Sequence, residues 1–456
     1  MENSKWWEQA VFYQLKISEF FQNKEDGNLI NLSSKLDYFV ELGVDALILD
    51  NILDNDGANR SYYNLNKKIT TIKTLKFFLE KAKEKNLKVL KTIDFVSTST
   101  YHPFFINEIK NGVFNKNSKY IWANQKDEKK SWLKKLIGNK EKSIPNIIID
   151  ENKKNSWIFN PKVNLFYFSL FGADQANLNW YSSTLRRDVR FILKHWMEIG
   201  FDGFIFEKID SFILDINSKK EKKNNYKIYQ KNRRKNIEAI KYLKDIIREK
   251  SGCCCICKTL KKNEENEFDL NFSKKITFNS TQKDIKTLLK NSDILLNTYL
   301  SHPTDPRLEK IHLILEYTSQ ASVFLNQGQE FSSTFLKNKL NWKQYKQESG
   351  LSISKIKKDK YSRYNLLREL IALRKKNKAL LGKSLNWVDL DEAIVSYVRE
   401  DLTNIVMIIL NFSDKLVEIK MELSLSQILL KSFAANGKMT EEKYILPPFG
   451  AIILKG

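Results

Sequence analysis

The first half of the chain alternates amphipathic helical segments with short apolar runs. Apolar side chains recur at helical spacing over residues 32–40, Gly43 ends that pattern, and residues 44–49 form a run typical of a buried strand. The same unit recurs over residues 75–90 and 185–206. Such alternation predicts a parallel sheet with crossover helices. At 456 residues, an α/β chain built as a (β/α)8 TIM barrel is the expected fold.

The pattern changes at two places. Residues 101–180 are aromatic and rich in turn residues, as an insertion after the third strand would be, and beyond residue 383 the helical period gives way to short strand-like runs. The later change predicts a C-terminal β-sandwich. The predicted division is residues 1–100 for the first part of the barrel, 101–180 for the insertion domain, 181–382 for the rest of the barrel and 383–456 for the sandwich.

Composition makes this a basic protein, with a net charge of +23. Lysine and asparagine are abundant along the whole chain, including the dense segment 219–235, and no stacking module or recognition helix accompanies them. We therefore expect no nucleic-acid partner. A solvated loop is the simplest interpretation of that segment, and an acidic protein or an anionic surface is its candidate partner.

The sequence contains no apolar run of about 18 residues and no apolar signal-peptide core near Met1, so no membrane span is expected. The cysteines are clustered at 253–257, which excludes a secreted disulfide framework and is typical of a buried strand. Neither a metal nor another cofactor is predicted. These features favour the cytoplasm, whereas an extracellular or membrane-associated location would require an upstream segment.

Several segments, in order along the chain, resemble landmarks of the α-amylase family, most closely its maltase and oligo-1,6-glucosidase branch. Residues 6–14 look like its first strand, 36–46 like its first helix and second strand, and 324–330 like the end of its eighth strand. Residues 120–122 and 175–179 resemble the insertion domain of maltases and of the heavy subunits of heteromeric amino-acid transporters. The resemblance implies a glycosidase barrel over nearly the whole chain.

Retaining glycosidases of this family need an aspartate nucleophile, a glutamate general acid and a third carboxylate. In residues 200–209 the resemblance places Glu207 at the nucleophile and Ile205 at the arginine that orients it. It places Lys258 at the acid and Thr304 at the third carboxylate, unless a shift of one residue admits Asp305. The sequence around the site resembles that of the family, but the residues at the reactive positions are of different types.

Other family positions are also changed. Ala58 lies where a substrate-binding aspartate belongs, and the third-strand motif has two registers. One register puts Thr92 at the aspartate. The other restores Asp94, and neither supplies the family's Asn-His pair. The retained candidates for ligand binding are Arg307, His302 and Gln327.

The resemblance thus implies a catalytically degenerate member of the family, a pseudoglycosidase that serves as a binding or assembly protein, with an α-glucoside as candidate ligand. The alternative is a weak or altered α-glucosidase of carbohydrate metabolism that uses Glu207 with Asp94 and Asp305. The simpler interpretation of Glu207 is a carboxylate paired with Lys208 or Lys258, and that of His102 and His302 is local packing.

Overall fold

The structure is a computed structural model, in which the chain forms two compact units. One comprises Met1–Asp50, Phe77–Leu90 and Leu260–Gly456, and the other comprises Asn51–Lys76 and Lys91–Thr259. The residues that the structure describes are 5–20, 28–50, 52–54, 59–113, 117–124, 156–213, 233–258, 270–272, 285, 294–295, 306–320, 322–331, 353–360, 362–382, 384–420, 427–432, 439–440 and 443–456.

Helices and short strands alternate through most of these segments. The α-helices are Ile17–Phe20, Leu29–Ser33, Leu36–Leu42, Ile72–Glu84, Pro103–Asn111, Ser183–Ile199, Arg233–Arg248, Pro306–Thr318, Ile353–Lys358, Arg363–Lys376 and Lys378–Leu381. The strands are β1 (Val11–Lys16), β2 (Ala46–Asp50), β3 (Lys88–Ile93), β4 (Ser97–Ser99), β5 (Trp122–Ala123), β6 (Trp157–Asn160), β7 (Leu165–Phe168), β8 (Gln175–Asn177), β9 (Gly203–Glu207), β10 (Cys254–Lys258), β11 (Leu270–Phe272), β12 (Ile294–Leu295), β13 (Val323–Asn326), β14 (Asn386–Trp387), β15 (Ile394–Glu400), β16 (Ile405–Asn411), β17 (Val417–Lys420), β18 (Gln427–Lys431), β19 (Met439–Thr440), β20 (Lys443–Leu446) and β21 (Ala451–Lys455).

Parallel strands form the sheet of the first unit. β1 pairs in parallel with β2 and with β13, so that Tyr13 lies opposite Leu47 on one side and Leu325 on the other. All five residues of β2 are buried, as expected of a strand covered on both faces. The helix Leu36–Leu42 leads into β2 through Gly43, whose φ of 89° is a left-handed conformation that favours glycine.

Antiparallel strands form the C-terminal part of the same unit. One sheet has the order β14-β15-β16-β21-β18 and another the order β17-β20-β19. Both sheets contribute to one apolar cluster, as a β-sandwich requires. The buried members of this cluster are Ile394, Met407, Ile409, Ile419, Leu446, Ile452 and Leu454.

The second unit contains the strand that carries Glu207. The helix Ser183–Ile199 begins at Ser182, whose side chain accepts a hydrogen bond from the Leu185 N–H, and it ends at Gly200. β9 follows and pairs in parallel with β10. The cysteines of the 253–257 run are buried and form no disulfide, which agrees with the buried strand expected there.

Short antiparallel strands in residues 97–177 also belong to this unit. β4 pairs with β8, and β7 lies between β5 and β6. Aromatic side chains form their core, in which Trp157, Phe166, Phe168 and Leu170 are buried together. The predicted boundaries of the insertion and of the other domains remain predictions.

Gly203→Ala is expected to lower the free energy of unfolding by about 1–3 kcal/mol, because overpacking forces backbone shifts. An added Cβ at Gly203 would lie 2.5 Å from the Cys254 carbonyl oxygen and 2.8 Å from its Sγ. Urea unfolding would measure the effect. Gly382→Ala is the matched control, since its Cβ would meet nothing closer than 3.8 Å. Equal destabilisation by the two substitutions would contradict this steric explanation.

Candidate functional site

Glu207 is the last residue of β9 and is half-buried. Ile205 lies two residues earlier, so both side chains project from the same face of the strand. Ile205 is 0% exposed. Because an isoleucine side chain has no hydrogen-bond donor, the position that the resemblance assigns to an orienting arginine gives Glu207 neither a hydrogen bond nor a positive charge.

Lys258 is the last residue of β10, and its Cα pairs with that of Glu207 in the β9–β10 register. The two residues therefore end neighbouring parallel strands at the same level. The Lys258 side chain lies outside the described residues. Its backbone position agrees with the expectation that a lysine stands beside the nucleophile position, where the family has its general acid.

Asp94 follows directly after β3 and is held by three hydrogen-bond contacts. Its Oδ1 accepts a hydrogen bond of 2.7 Å from the Val96 N–H, and its Oδ2 lies 3.1 Å from the Lys208 Nζ. The Tyr62 hydroxyl donates to the Asp94 carbonyl oxygen at 3.0 Å. Two of these contacts fix the carboxylate, and the third fixes the backbone that carries it.

Burial raises the pKa of Asp94 above its usual value, and the negative charge of Glu207 raises it further. The Lys208 ammonium and the Val96 N–H oppose these effects but do not cancel them. The charge of Glu207 thus acts on the Asp94 carboxyl. The structure brings together Asp94, Glu207 and Lys208, a set that includes two of the carboxylates singled out in the sequence.

The two registers of the third-strand motif occupy nearby positions. Thr92 is half-buried within β3, and Asp94 lies two residues further on, on the same face. In the shifted register, Thr98 and Ser99 replace the Asn-His pair. Both belong to β4, and the Thr98 hydroxyl lies 2.6 Å from the Tyr120 hydroxyl. Neither residue supplies the imidazole that the family motif contains.

His102 makes local contacts, as the simpler interpretation expected. Its Nδ1 accepts the Phe104 N–H at 3.1 Å, which caps the helix Pro103–Asn111. The ring packs against Tyr62 with centroids 5.1 Å apart. Burial, with a smaller contribution from Lys119, lowers the pKa of His102 to about 3. His102 is therefore neutral at physiological pH and has a structural role.

The first unit has polar side chains at its own strand ends. Gln14 donates its amide to the carboxylate of Asp50, the last residue of β2. The Gln327 Oε1 accepts the Lys16 N–H at 3.0 Å, and the Gln327 N–H donates to the Gln14 carbonyl at 2.9 Å. Gln327, a predicted ligand-binding residue, thus links two strands. The sequence analysis did not identify Asp50 as a candidate site residue. A carboxylate at the end of an apolar run could have indicated it.

Glu330 is a second carboxylate that sequence reasoning missed. The hydroxyls of Tyr13 and Tyr38 both donate to its Oε1 at 2.7 Å. Glu330 is fully buried, and this burial raises its pKa. Because solvent does not reach it, Glu330 belongs to the packing of β1 and the helix Leu36–Leu42, and it is not a ligand-binding group.

The remaining predicted site residues divide into described and undescribed positions. Arg307 is exposed near the start of the helix Pro306–Thr318, and its guanidinium lies 5.1 Å from the centroid of the Phe449 ring. Ala58, His302, Thr304 and Asp305 lie outside the described residues. Their predicted roles, like that of Arg307, remain predictions.

The described segments contain neither a metal-binding cluster nor a membrane-spanning helix. There, His, Cys, Asp and Glu side chains form no group of three that could hold a metal ion. Within the same segments, every helix is too short or too polar to cross a lipid bilayer.

Comparison with known proteins places this geometry in a family context. The alpha amylase catalytic-domain family model matches residues 19–339. The chain is 29% identical over 210 residues to alpha-amylase 3 of Dictyoglomus thermophilum, covering 44% of this chain and 37% of that protein. It is 28% identical over 214 residues to an oligo-1,6-glucosidase of Parageobacillus thermoglucosidasius, covering 45% and 35%. The match spans little more than a third of each relative's length.

Solved structures match over almost the whole chain. Trehalose-6-phosphate hydrolase of Bacillus licheniformis superposes with a TM-score of 0.81 at 16% identity, covering 99% of both chains. Isomaltulose synthase of Klebsiella sp. LX3 gives a TM-score of 0.81 at 16% identity over 100% of both. At this level of identity the likeness concerns the fold. Together with the family match, it confirms the predicted (β/α)8 barrel with a C-terminal β-domain.

Proposed function

Because the chain belongs to the α-amylase family, we propose that it is a pseudoglycosidase that binds an α-glucoside at the carboxyl ends of β9 and β10 without efficient hydrolysis. Ligand sites of (β/α)8 barrels lie at this end of the strands. Glu207 and Asp94 offer carboxylate oxygens there, which accept hydrogen bonds from sugar hydroxyls.

The observation that carries this proposal is the register that sets Lys258 beside Glu207. A retaining glycosidase needs two carboxyl groups about 5–5.5 Å apart, one of which protonates the leaving oxygen. General acids work best with a pKa near the operating pH, and lysine has an ordinary pKa of about 10.4. A lysine at this position is therefore a poor substitute for a protonated glutamate.

The burial of Ile205 supports the same conclusion. Nucleophilic carboxylates depend on neighbouring donors for orientation and for stabilisation of charge. Ile205, two residues before Glu207 in β9, is fully buried and apolar. Its side chain therefore supplies no such donor to Glu207. Acid, orienting group and nucleophile type all differ from the family pattern, and losses within one catalytic unit are not recovered by any single group.

A second candidate function, an altered α-glucosidase, is favoured by one observation. The pKa of Asp94 is raised while Glu207 lies close enough to contribute to that shift. Two carboxyls in different environments are the usual arrangement of an acid and a base or nucleophile. In this candidate Asp94 donates a proton to the leaving oxygen, and Glu207 attacks the sugar or activates water.

Hydrolysis of p-nitrophenyl α-glucoside by the purified protein distinguishes the two functions. The pseudoglycosidase proposal predicts the same background rate for the wild type and for Glu207→Gln, together with measurable isomaltose or maltose binding by calorimetry. An active relative provides the positive control. Turnover that Glu207→Gln and Asp94→Asn each reduce by roughly 10²-fold or more would establish the altered enzyme instead. Absence of both turnover and sugar binding would refute both proposals.

A further inference from the structure

Lys208 has an unusual backbone conformation directly after Glu207. Its φ of 54° and ψ of 28° are left-handed, a region that residues with a side chain seldom occupy and that marks functional sites when it is maintained. Lys208 begins the short 3-10 turn Ile209–Ser211. This conformation turns the chain sharply at the end of β9 and determines where the lysine side chain projects.

The ammonium group of Lys208 has two partners in the same unit. Its Nζ lies 3.1 Å from the Asp94 Oδ2 and 4.4 Å from the centroid of the Phe171 ring. The side chains of Lys208 and Asp94 are 43% and 24% exposed, so the ion pair is partly shielded from water. An aromatic face adds a further attraction for the cation.

Asp94 makes two hydrogen bonds in addition to its ion pair with Lys208. The Val96 N–H fixes its Oδ1 and the Tyr62 hydroxyl fixes its main chain. The charged and titratable groups that act on Asp94 are Lys208 and Glu207, while Tyr62 is the titratable group on its carbonyl side. The Lys208 ammonium is therefore placed beside the Asp94 carboxyl, whose ionised form the charge of Glu207 disfavours.

We propose that Lys208 is a positioning residue that supplies the positive charge missing at Ile205, fixes Asp94, and balances the Asp94–Glu207 carboxyl pair. The charge comes from three positions further along the chain, and the left-handed backbone of Lys208 brings it back to the strand end. The inference deepens the proposed function and rests on it for the connection with sugar binding. Its direct test does not need a sugar.

The test is the pH dependence of stability in Lys208→Met. Burial and Glu207 already raise the pKa of Asp94, and loss of the ammonium removes an opposing effect. A raised carboxyl pKa contributes stability that is present below the unfolded pKa and is lost as pH rises through the folded pKa. The urea midpoint of Lys208→Met should therefore fall further below that of wild type at about pH 7 than at about pH 4.

Three further variants assign this effect to the ion pair. Lys208→Arg keeps the charge and should restore the wild-type profile. Lys208→Gly removes the ammonium but tolerates the left-handed backbone, so it should show the same excess loss at neutral pH without added backbone strain. In an Asp94→Asn background, Lys208→Met should lose its pH-dependent component.

Two results would overturn the proposal. One is an equal midpoint shift at both pH values for Lys208→Met and Lys208→Gly, and the other is strict additivity of Lys208→Met with Asp94→Asn. Isomaltose calorimetry on the same variants separates this inference from the proposed function. A pH-dependent ion pair in a protein that binds no isomaltose or maltose would refute sugar binding alone, whereas unchanged sugar affinity in Lys208→Met would refute its link to Lys208.

Discussion

Arg399→Met is expected to lower the free energy of unfolding by about 3 kcal/mol or more, because each buried acceptor left without a donor costs about 1–3 kcal/mol. Arg399 is 0% exposed, and its guanidinium donates to four main-chain carbonyls. These belong to Thr318 at 2.5 Å, Leu380 at 3.1 Å, Gly382 at 2.5 Å and Ser384 at 2.5 Å. Methionine fills a similar volume but leaves these acceptors in the interior without a donor.

The position of these carbonyls explains why a cation suits the site. Thr318 ends the helix Pro306–Thr318, and Leu380 lies in the last turn of Lys378–Leu381. Helix carboxyl ends carry partial negative charge. Burial lowers the pKa of Arg399 to about 10, so the guanidinium remains charged at neutral pH. Arg399 thus connects the helices Pro306–Thr318 and Lys378–Leu381 to β15 of the sandwich.

Urea unfolding of Arg399→Met beside Arg368→Met gives the measurement and its matched control. Arg368 is 46% exposed and lies 3.6 Å from Glu41 on the surface, so its loss should cost no more than about 1 kcal/mol. Similar destabilisation by the two substitutions would show that the buried carbonyl contacts have little energetic weight.

The helix-to-strand units were predictable from sequence because their signals are local. Apolar spacing and a terminating glycine lie within one segment, as at Gly43 and at Gly200. The clustered cysteines likewise indicated a buried strand. The exact register of β9 against β10 was expected only through the family resemblance, since apolar runs of equal length pair equally well in several registers.

The contacts of the candidate site were less predictable because they join distant parts of the chain. Asp94 and Lys208 are 114 positions apart, and Tyr13 and Glu330 are 317 apart. No local pattern specifies such pairs. The left-handed backbone at Lys208 was also hidden, since lysine is not a residue type that signals this conformation. Sequence reasoning named Glu207, Asp94 and Lys208, but it offered Lys208 as a partner of Glu207 and did not predict its ion pair with Asp94.

Asp94 and Glu330 show how the surroundings of a carboxyl decide its role. Burial raises the pKa of both. Glu330 is enclosed with two tyrosine hydroxyls, which suits a fixed packing role. The Asp94 side chain is partly exposed to solvent, and its ion-pair partner is a lysine. A lysine side chain is flexible. A polar ligand can therefore reach Asp94 but not Glu330, which supports the proposal of a sugar site beside Asp94 and Glu207.

The double variant Glu207→Asp with Lys258→Glu is expected to remain without α-glucosidase activity, although it restores the nucleophile and acid types of the family. Ile205 would still give the new aspartate no donor, and Asp94 would still be held by Lys208. Correct placement of reacting groups contributes about 7–11 kcal/mol to catalysis, or roughly 10⁵–10⁸-fold in rate. A variant that has the family's residue types but not their correct placement should turn over substrate far more slowly than an active glucosidase.

The rate of p-nitrophenyl α-glucoside hydrolysis measures this outcome, and Glu207→Asp with Lys258→Gln is the matched control because it lacks only the acid. Both double variants should hydrolyse the substrate at the background rate. Turnover in the Lys258→Glu variant that exceeds the Lys258→Gln control by about 10²-fold or more, the usual contribution of a general acid, would contradict the expectation. It would mean that the strand ends still orient a sugar productively, and that the residue types at positions 207 and 258 account for the loss of activity.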